Sequence, residues 1–311
     1  MNLKVILFFL LSTTFTYSQA NGIPVSNINC SDLKSKEYYY NDPNTFKNGS
    51  IKLFSDKNGK SFDALNKLIL KNSEYILELD PENTDLMFHK PDTVFDHSEE
   101  NKKFQNAVDR LDLSKIFTSN SNSKSYQKLR DESNESENIT THIYCLDKIL
   151  VYNIELTNNA DKGSPYNEFL NIDLNKMKLV DFTSLITDNQ LNAFNKAILN
   201  YANNHKKEIV NNYKQILSNG FGDLLNQYQL AFEQSDYDYD KVKCKIDSKD
   251  FNFFSPEGVT FKVRVLDKNL NMNEEKDQIG EYISEIIIPY KEIMNYLDTK
   301  NSLYSSINKH R

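Results

Sequence analysis

The sequence predicts an α+β fold: antiparallel hairpins forming a sheet packed against a central helical block, with a short C-terminal helix. Three observations lead there. Residues 139–180 alternate apolar and polar side chains with the period of two that a strand imposes, in runs paired through short turns. Residues 188–233 change to the three-to-four spacing of an amphipathic helix. From Val242 the period of two returns. Strand pairs on both sides of a helical stretch indicate antiparallel hairpins rather than a parallel sheet wound through alternating helices.

Taken in chain order, residues 1–20 read as an export signal. Lys4 supplies the positive start, Val5–Leu11 with Phe15 the short apolar stretch, and Ser18-Gln19-Ala20 small residues at a cleavage position. That stretch is far shorter than the ~20 residues that cross a bilayer. The chain is therefore expected to be exported, periplasmic or secreted, with no stable membrane insertion. Residues 21–50, polar and carrying Tyr38-Tyr39-Tyr40, read as an irregular lead-in. Ile51–Phe54 has strand character and Asn58-Gly59 is a turn pair. Ser61 is placed to cap a helix with Leu65, Leu68, Ile69 and Ile76 on one face, stopped by Pro81. A loop over Asp80–His97, a second helix over Asn101–Phe117 (Phe104, Val108 and Leu111 in one stripe) and a polar linker complete this half. The division is thus an N-terminal region of mixed helix and hairpin over residues 21–120 and an α+β domain over residues 121–311.

In the second half, Ile139–Cys145 and Ile149–Leu156 make one hairpin around Leu146-Asp147-Lys148, and Glu168–Asp173 with Lys176–Val180 a second. Asp188 is placed to cap the helical block, where Leu191, Phe194, Ile198 and Tyr201 share a face. Asn219-Gly220 breaks it before Asp223–Phe232. Val242–Ile246, Phe251–Phe254, Val259–Leu266 and Tyr282–Ile288 are strands, with a turn at Ser255–Gly258. Pro289 then opens a terminal helix carrying Ile293, Met294 and Leu297.

The charge balance, 37 basic against 44 acidic residues and a formal charge of -7, disfavours a duplex nucleic-acid binder, which needs a basic face. Acidic residues gather at Asp131, Glu132, Glu135 and Glu137, and again at Asp236, Asp238 and Asp240. The ordinary reading is a solvated loop and a solvated turn; the functional one is a dock for a basic extracellular protein. The Asp236-x-Asp238-x-Asp240 spacing also begins a calcium loop, but Lys241 stands where the sharp turn needs Gly, and Asp247 where a Glu closes the site. His89, Asp92, Asp96 and His97 fit a surface loop better than a metal site. No metal and no cofactor are expected. Three cysteines leave open one disulfide with one thiol, or three thiols. Cys145 and Cys244, both in strand-like runs, are the preferred pair. The chain has no G-x-S-x-G, H-E-x-x-H or complete phosphate-loop motif. Carboxylate pairs of glycoside hydrolases need no motif, so a secreted hydrolase acting on cell-wall glycan or peptide stays the alternative to a non-catalytic binding domain.

The run from Ser164 to Asp173, followed by Lys178-Leu179-Val180-Asp181-Phe182, resembles a family hairpin leading into a helix. The Phe251–Phe261 stretch with Gly258 in its turn, and Ile286-Ile287-Ile288-Pro289-Tyr290-Lys291-Glu292, resemble the family's later hairpin and its closing strand-to-helix step. The family is the RsiV-like extracellular domain of unknown function, which occurs in a lysozyme-sensing anti-sigma factor and beside peptidoglycan deacetylase domains. The resemblance covers about residues 125–298. The residues that carry it, Phe169, Asn171, Asp173, Asp181, Gly258, Pro289 and Tyr290, read as structural, with Phe169, Ile172 and Leu179 filling a sheet face. Together with the export signal and the missing catalytic motifs, it implies a non-catalytic cell-envelope domain that binds a protein or wall glycan; the acidic runs suit a cationic extracellular protein such as lysozyme, and peptidoglycan is the other expected partner.

Overall fold

A computed structural model describes residues 28–42, 47–56, 58–72, 77–79, 86–88, 106, 108–110, 137–158, 166–220, 237–270 and 280–311. In chain order its elements are β1 (Lys34–Asp42), β2 (Lys47–Ser55), α1 (Asp63–Lys71), β3 (Leu77–Leu79), β4 (Leu86–Phe88), β5 (Glu137–Leu146), β6 (Ile149–Asn158), β7 (Tyr166–Asp173) and β8 (Lys178–Leu179). The helical block follows as α2 (Leu191–Asn204) and α3 (Lys206–Gly220). Then come β9 (Val242–Lys245), β10 (Phe251–Phe254), β11 (Gly258–Asp267), β12 (Gly280–Pro289), α4 (Tyr290–Ile293) and α5 (Tyr304–Asn308). The expected α+β class is the observed one.

One sheet runs β1-β2-β5-β6-β7-β8, taking strands from both sides of residue 121. Its neighbours are antiparallel except β2 and β5, which pair in parallel only over Lys47–Gly49 and Glu137–Ile139. Where those two strands part, side chains fill in for the missing ladder. The buried Tyr152 hydroxyl donates to the carbonyl of Lys52 (2.8 Å) and accepts from its N–H (3.1 Å). Lys52 Nζ donates to the carbonyl of Thr141 (2.8 Å). In the second sheet β11 is the middle strand. It pairs with β12 over ten residues on one side, and on the other with β10 and then β9 in tandem.

Period two decides how the core divides. In β6, Ile149 and Val151 point into one cluster while Leu150, Tyr152 and Ile154 point into another. The first, larger cluster lies between this face, the inner face of the second sheet and α2–α3. Phe182 centres it, with Phe251 and Phe261 rings at 4.9 and 5.3 Å. The second cluster is closed by Ile51, Leu53 and Phe54 of β2 and by Leu65, Ile69 and Leu70 of α1. A fully buried Asn66 on α1 locks this layer: its amide accepts from the Phe54 N–H (2.7 Å) and donates to the Phe54 carbonyl (2.8 Å). Making both bonds removes the cost of burying an amide.

Several expectations need correction. Residues 34–42, within the expected lead-in, form β1, because pairing along all nine residues of β2 outweighs the weak alternation of Tyr38-Tyr39-Tyr40. The helical block is two helices parted at His205, and Gln190 rather than Asp188 precedes the first. Helix α1 begins at Asp63, and Ser61 accepts a hydrogen bond from Asn66 instead of capping. Pro289 ends β12 and stands just before the helix, which starts at Tyr290. Phe169 and Ile172 lie on opposite faces of β7, one in each cluster, and Leu179 is exposed. The expected helix over Asp223–Phe232 and the His89–His97 loop lie outside the described residues.

The preferred disulfide is also wrong. Cys30 bonds to Cys145, and Cys244 is a buried thiol. The reason is parity. Cys145 shares a strand face with Ile143, on the α1 side of the sheet, whereas Cys244 sits in the other cluster, beneath α2. A sheet therefore separates the two sulfurs. Burial pushes the Cys244 thiol up to about 11.

The β5–β6 turn, Asp147-Lys148, joins distant parts of the chain. Asp147 adopts φ 57°, and its carbonyl accepts from the N–H of Cys30 (2.9 Å). Its carboxylate accepts from Lys309 Nζ (2.8 Å) and Ser306 Oγ (3.2 Å). The bond from Lys309 holds the Asp147 carboxyl below its ordinary value of 3.8. Its contribution is therefore complete above that pH and disappears as acid protonates the folded carboxylate. Asp147→Asn is expected to cost about 0.5–1 kcal/mol at pH 7 and progressively less as the pH is lowered below 3.8, read from denaturant midpoints over that range.

Candidate functional site

Where the face of β5–β7 meets the end of the second sheet, the apolar packing gives way to a polar seam. Strand register builds it. His142, Asn153 and Phe169 lie in one row across β5, β6 and β7, and Tyr144, Val151 and Asn171 in the next. Beyond them Glu155 pairs with Asn167, and its Oε2 lies 3.4 Å from Nε2 of His142. The second sheet supplies the opposite wall. Phe253 stacks on Phe169 at 3.9 Å between ring centres. Asn171 accepts from the Phe254 N–H (3.1 Å) and donates to the Asn252 carbonyl (2.8 Å), sewing β7 to β10. Asn252 donates in turn to Glu285 Oε1 (2.7 Å).

Burial sets the protonation of the seam. It raises the Tyr144 hydroxyl far above its ordinary range, helped by the nearby carboxylates Glu257 and Glu285. The same cause raises Tyr290, whose hydroxyl donates to the Ser255 carbonyl at 2.6 Å. Glu285 is shifted upward too, mainly by desolvation. Tyr144 is thus a neutral phenol at neutral pH, able to donate a hydrogen bond. Asn153, only 9% exposed, donates weakly to Asn167 (3.4 Å), and its Oδ1 has no hydrogen-bond partner among the described residues. A buried amide oxygen of this kind carries a desolvation cost that a ligand donor would relieve. Neutral donors, acceptors and a stacked aromatic pair suit recognition of a polar surface such as a glycan or a peptide.

A second polar knot lies at the start of β9. Asp267, fully buried, accepts from the hydroxyls of Tyr237 and Tyr282 and from the backbone (2.8 Å) and side-chain (2.9 Å) N–H groups of Asn269. Four donors satisfy one carboxylate, so this is a structural clasp. Asp238 belongs to it. Its side chain caps the turn at Tyr239–Lys241 by accepting from the Asp240 N–H (2.9 Å), and its backbone bonds twice to the Asn269 side chain. Asp240 is exposed.

Of the other acidic docking candidates, Asp131, Glu132, Glu135 and Asp236 lie outside the described residues, and Glu137 is the first residue of β5. The residues that carry the family resemblance have packing roles. Phe169 and Asn171 hold the seam. Asp173 accepts from the N–H groups of Asn175 and Lys176 in the β7–β8 turn. Asp181 accepts from the Thr183 N–H at 3.0 Å and Thr183 Oγ1 at 2.6 Å. Among the described residues, no three His, Cys, Asp or Glu side chains come together to hold a metal ion. Sequence reasoning missed Tyr144, Asn153, Asn252 and Glu285. Their signal was a polar side chain interrupting an apolar strand, clearest for Asn153 inside Ile149–Ile154.

No family model matches the sequence, and no curated protein matches it. Solved structures do. A DUF3298-family protein from Bacteroides fragilis is 15% identical, with 89% of this chain and 96% of that chain covered at a TM-score of 0.34. A DUF3298-family protein from Pseudomonas aeruginosa is 12% identical, with 86% and 93% covered at a TM-score of 0.34. This chain is similar to these two members of a domain family of unknown function.

Proposed function

We propose that this chain is an exported, non-catalytic cell-envelope domain, as the RsiV-like resemblance implies, and that it binds a protein or wall glycan through the polar seam. The observation that carries the reading is the seam itself: a buried Asn153 oxygen without a hydrogen-bond partner among the described residues, in the strand rows that also hold the neutral Tyr144 phenol and the stacked Phe169–Phe253 pair. Export is supported by the N-terminal leader pattern and by the Cys30–Cys145 bridge, since disulfides persist in oxidising compartments. A net charge of -7 favours encounter with a cationic partner such as lysozyme.

The test is retention of lysozyme, and separately of purified peptidoglycan, by immobilised protein at low and moderate salt. One of the two is expected to be held, and Tyr144→Phe, which removes a single donor, is expected to weaken retention about fivefold to tenfold. Retention of neither, or equal retention by the variant, rejects the seam as the binding site. Release of soluble fragments from the peptidoglycan would replace the reading with a wall hydrolase.

A further inference from the structure

The second sheet has one face under α2 and α3, where Val263, Val265, Ile286 and Ile288 are buried, and an opposite face that carries charge. On that outer face β9 presents Lys243 and Lys245, β11 presents Lys262 and Arg264, and β12 presents Glu281, Ile283, Glu285 and Ile287. Register places them side by side. Arg264 stands between Lys245 and Ile283, and Lys262 stands beside Glu285. All four cations are exposed, as are Ile283 (59%) and Ile287 (38%). Among the described residues, four cations against two carboxylates make this face basic in a chain whose net charge is -7.

Two features of the face are unfavourable for the molecule alone. Lys245 and Arg264 are direct cross-strand partners, an arrangement that like charges destabilise. Glu281 relieves part of this through Arg264, its carboxylate 3.3 Å from Nε. Ile283 and Ile287 leave aliphatic surface in water on the same plane, about 13 Å apart along the strand. A partner that compensates both must offer negative charge and apolar depth together. The interface of an anionic phospholipid bilayer does so: headgroup phosphates meet the cations, lysine stems lie along the surface, and branched side chains enter the acyl boundary. A soluble polyanion answers only the charge. We propose that the outer face of β9, β11 and β12, which adjoins the polar seam at Glu285, docks this protein peripherally on anionic phospholipid through its Lys243, Lys245, Arg264 and Ile283 end.

The experiment is co-sedimentation of the intact protein with vesicles of phosphatidylcholine alone and of phosphatidylcholine with 30% phosphatidylglycerol, at about 0.1 M salt. Binding is expected only to the anionic vesicles. Lys243→Gln with Lys245→Gln should weaken it by about 25-fold, the effect of two cations at such a surface. Ile283→Ser should weaken it severalfold, whereas Lys300→Glu, an exposed change outside this face, should leave it nearly unchanged. Lysozyme or peptidoglycan retention by the double variant should match the parent, which separates this proposal from the seam. No binding to anionic vesicles overturns it, and so does an equal loss in Lys300→Glu, which would mark a simple net-charge effect. Unchanged binding by Ile283→Ser together with full competition by soluble polyphosphate assigns the face to a water-soluble polyanion and also overturns it.

Discussion

Replacing Cys30 and Cys145 with serine is expected to destabilise the fold by about 4–5 kcal/mol, read as a fall in the guanidinium midpoint with a steeper slope from the expanded unfolded chain. The magnitude follows from loop length. The bridge spans 115 residues, and closing a loop of that size removes much of the freedom of the unfolded chain. It also fixes the β1 end of the sheet against the β5–β6 turn, next to the buried Ile28. Reductant should carry the parent to the midpoint of the double variant. Cys244→Ser should keep that redox response, because its thiol is buried and unbridged. A difference below about 1 kcal/mol would show that the two sulfurs are not joined in the folded protein.

Gly258→Ala is expected to cost about 3 kcal/mol, at the upper end of what overpacking costs. A methyl carbon there would lie 2.3 Å from the carbonyl oxygen of Ile288 and 2.8 Å from its carbon. These are backbone atoms of the partner strand, with no rotamer to swing aside. β11 and β12 would have to part where Gly258 faces Pro289. The opening would reach the seam, because Ser255 bonds both to Gly258 and to the Tyr290 hydroxyl. Gly59 is a useful contrast: its φ is 82°, but a methyl there meets nothing within 4 Å. Calorimetric or denaturant unfolding checks the value, and a loss under 1 kcal/mol would contradict the packing described.

The strands from residue 137 onward were legible because one apolar residue in two marks a buried face, and both hairpins and all four later strands stand where that pattern puts them. Parity alone could not say which core each face belongs to. Both faces of β6 are apolar, so nothing local distinguishes the side that holds Cys145 from the side that holds Cys244. β1 was illegible for a related reason: its hydrogen-bonding partner, not its own alternation, makes it a strand. The seam depended on register across five strands. His142, Asn153 and Phe169 are neighbours only after β5, β6 and β7 align, and Phe253 joins them only when the second sheet arrives.

The meeting of Cys30 and Lys309 at Asp147 has a mechanical meaning. Tension applied at both ends of the described chain would enter the body at one shared tight bend rather than being passed strand by strand through it. Such a load would first separate the C-terminal lysine, held by an ion pair, while the covalent bridge on the other side kept the N-terminal arm attached. A molecule tethered at its front end could therefore lose its tail contact under strain without losing its place.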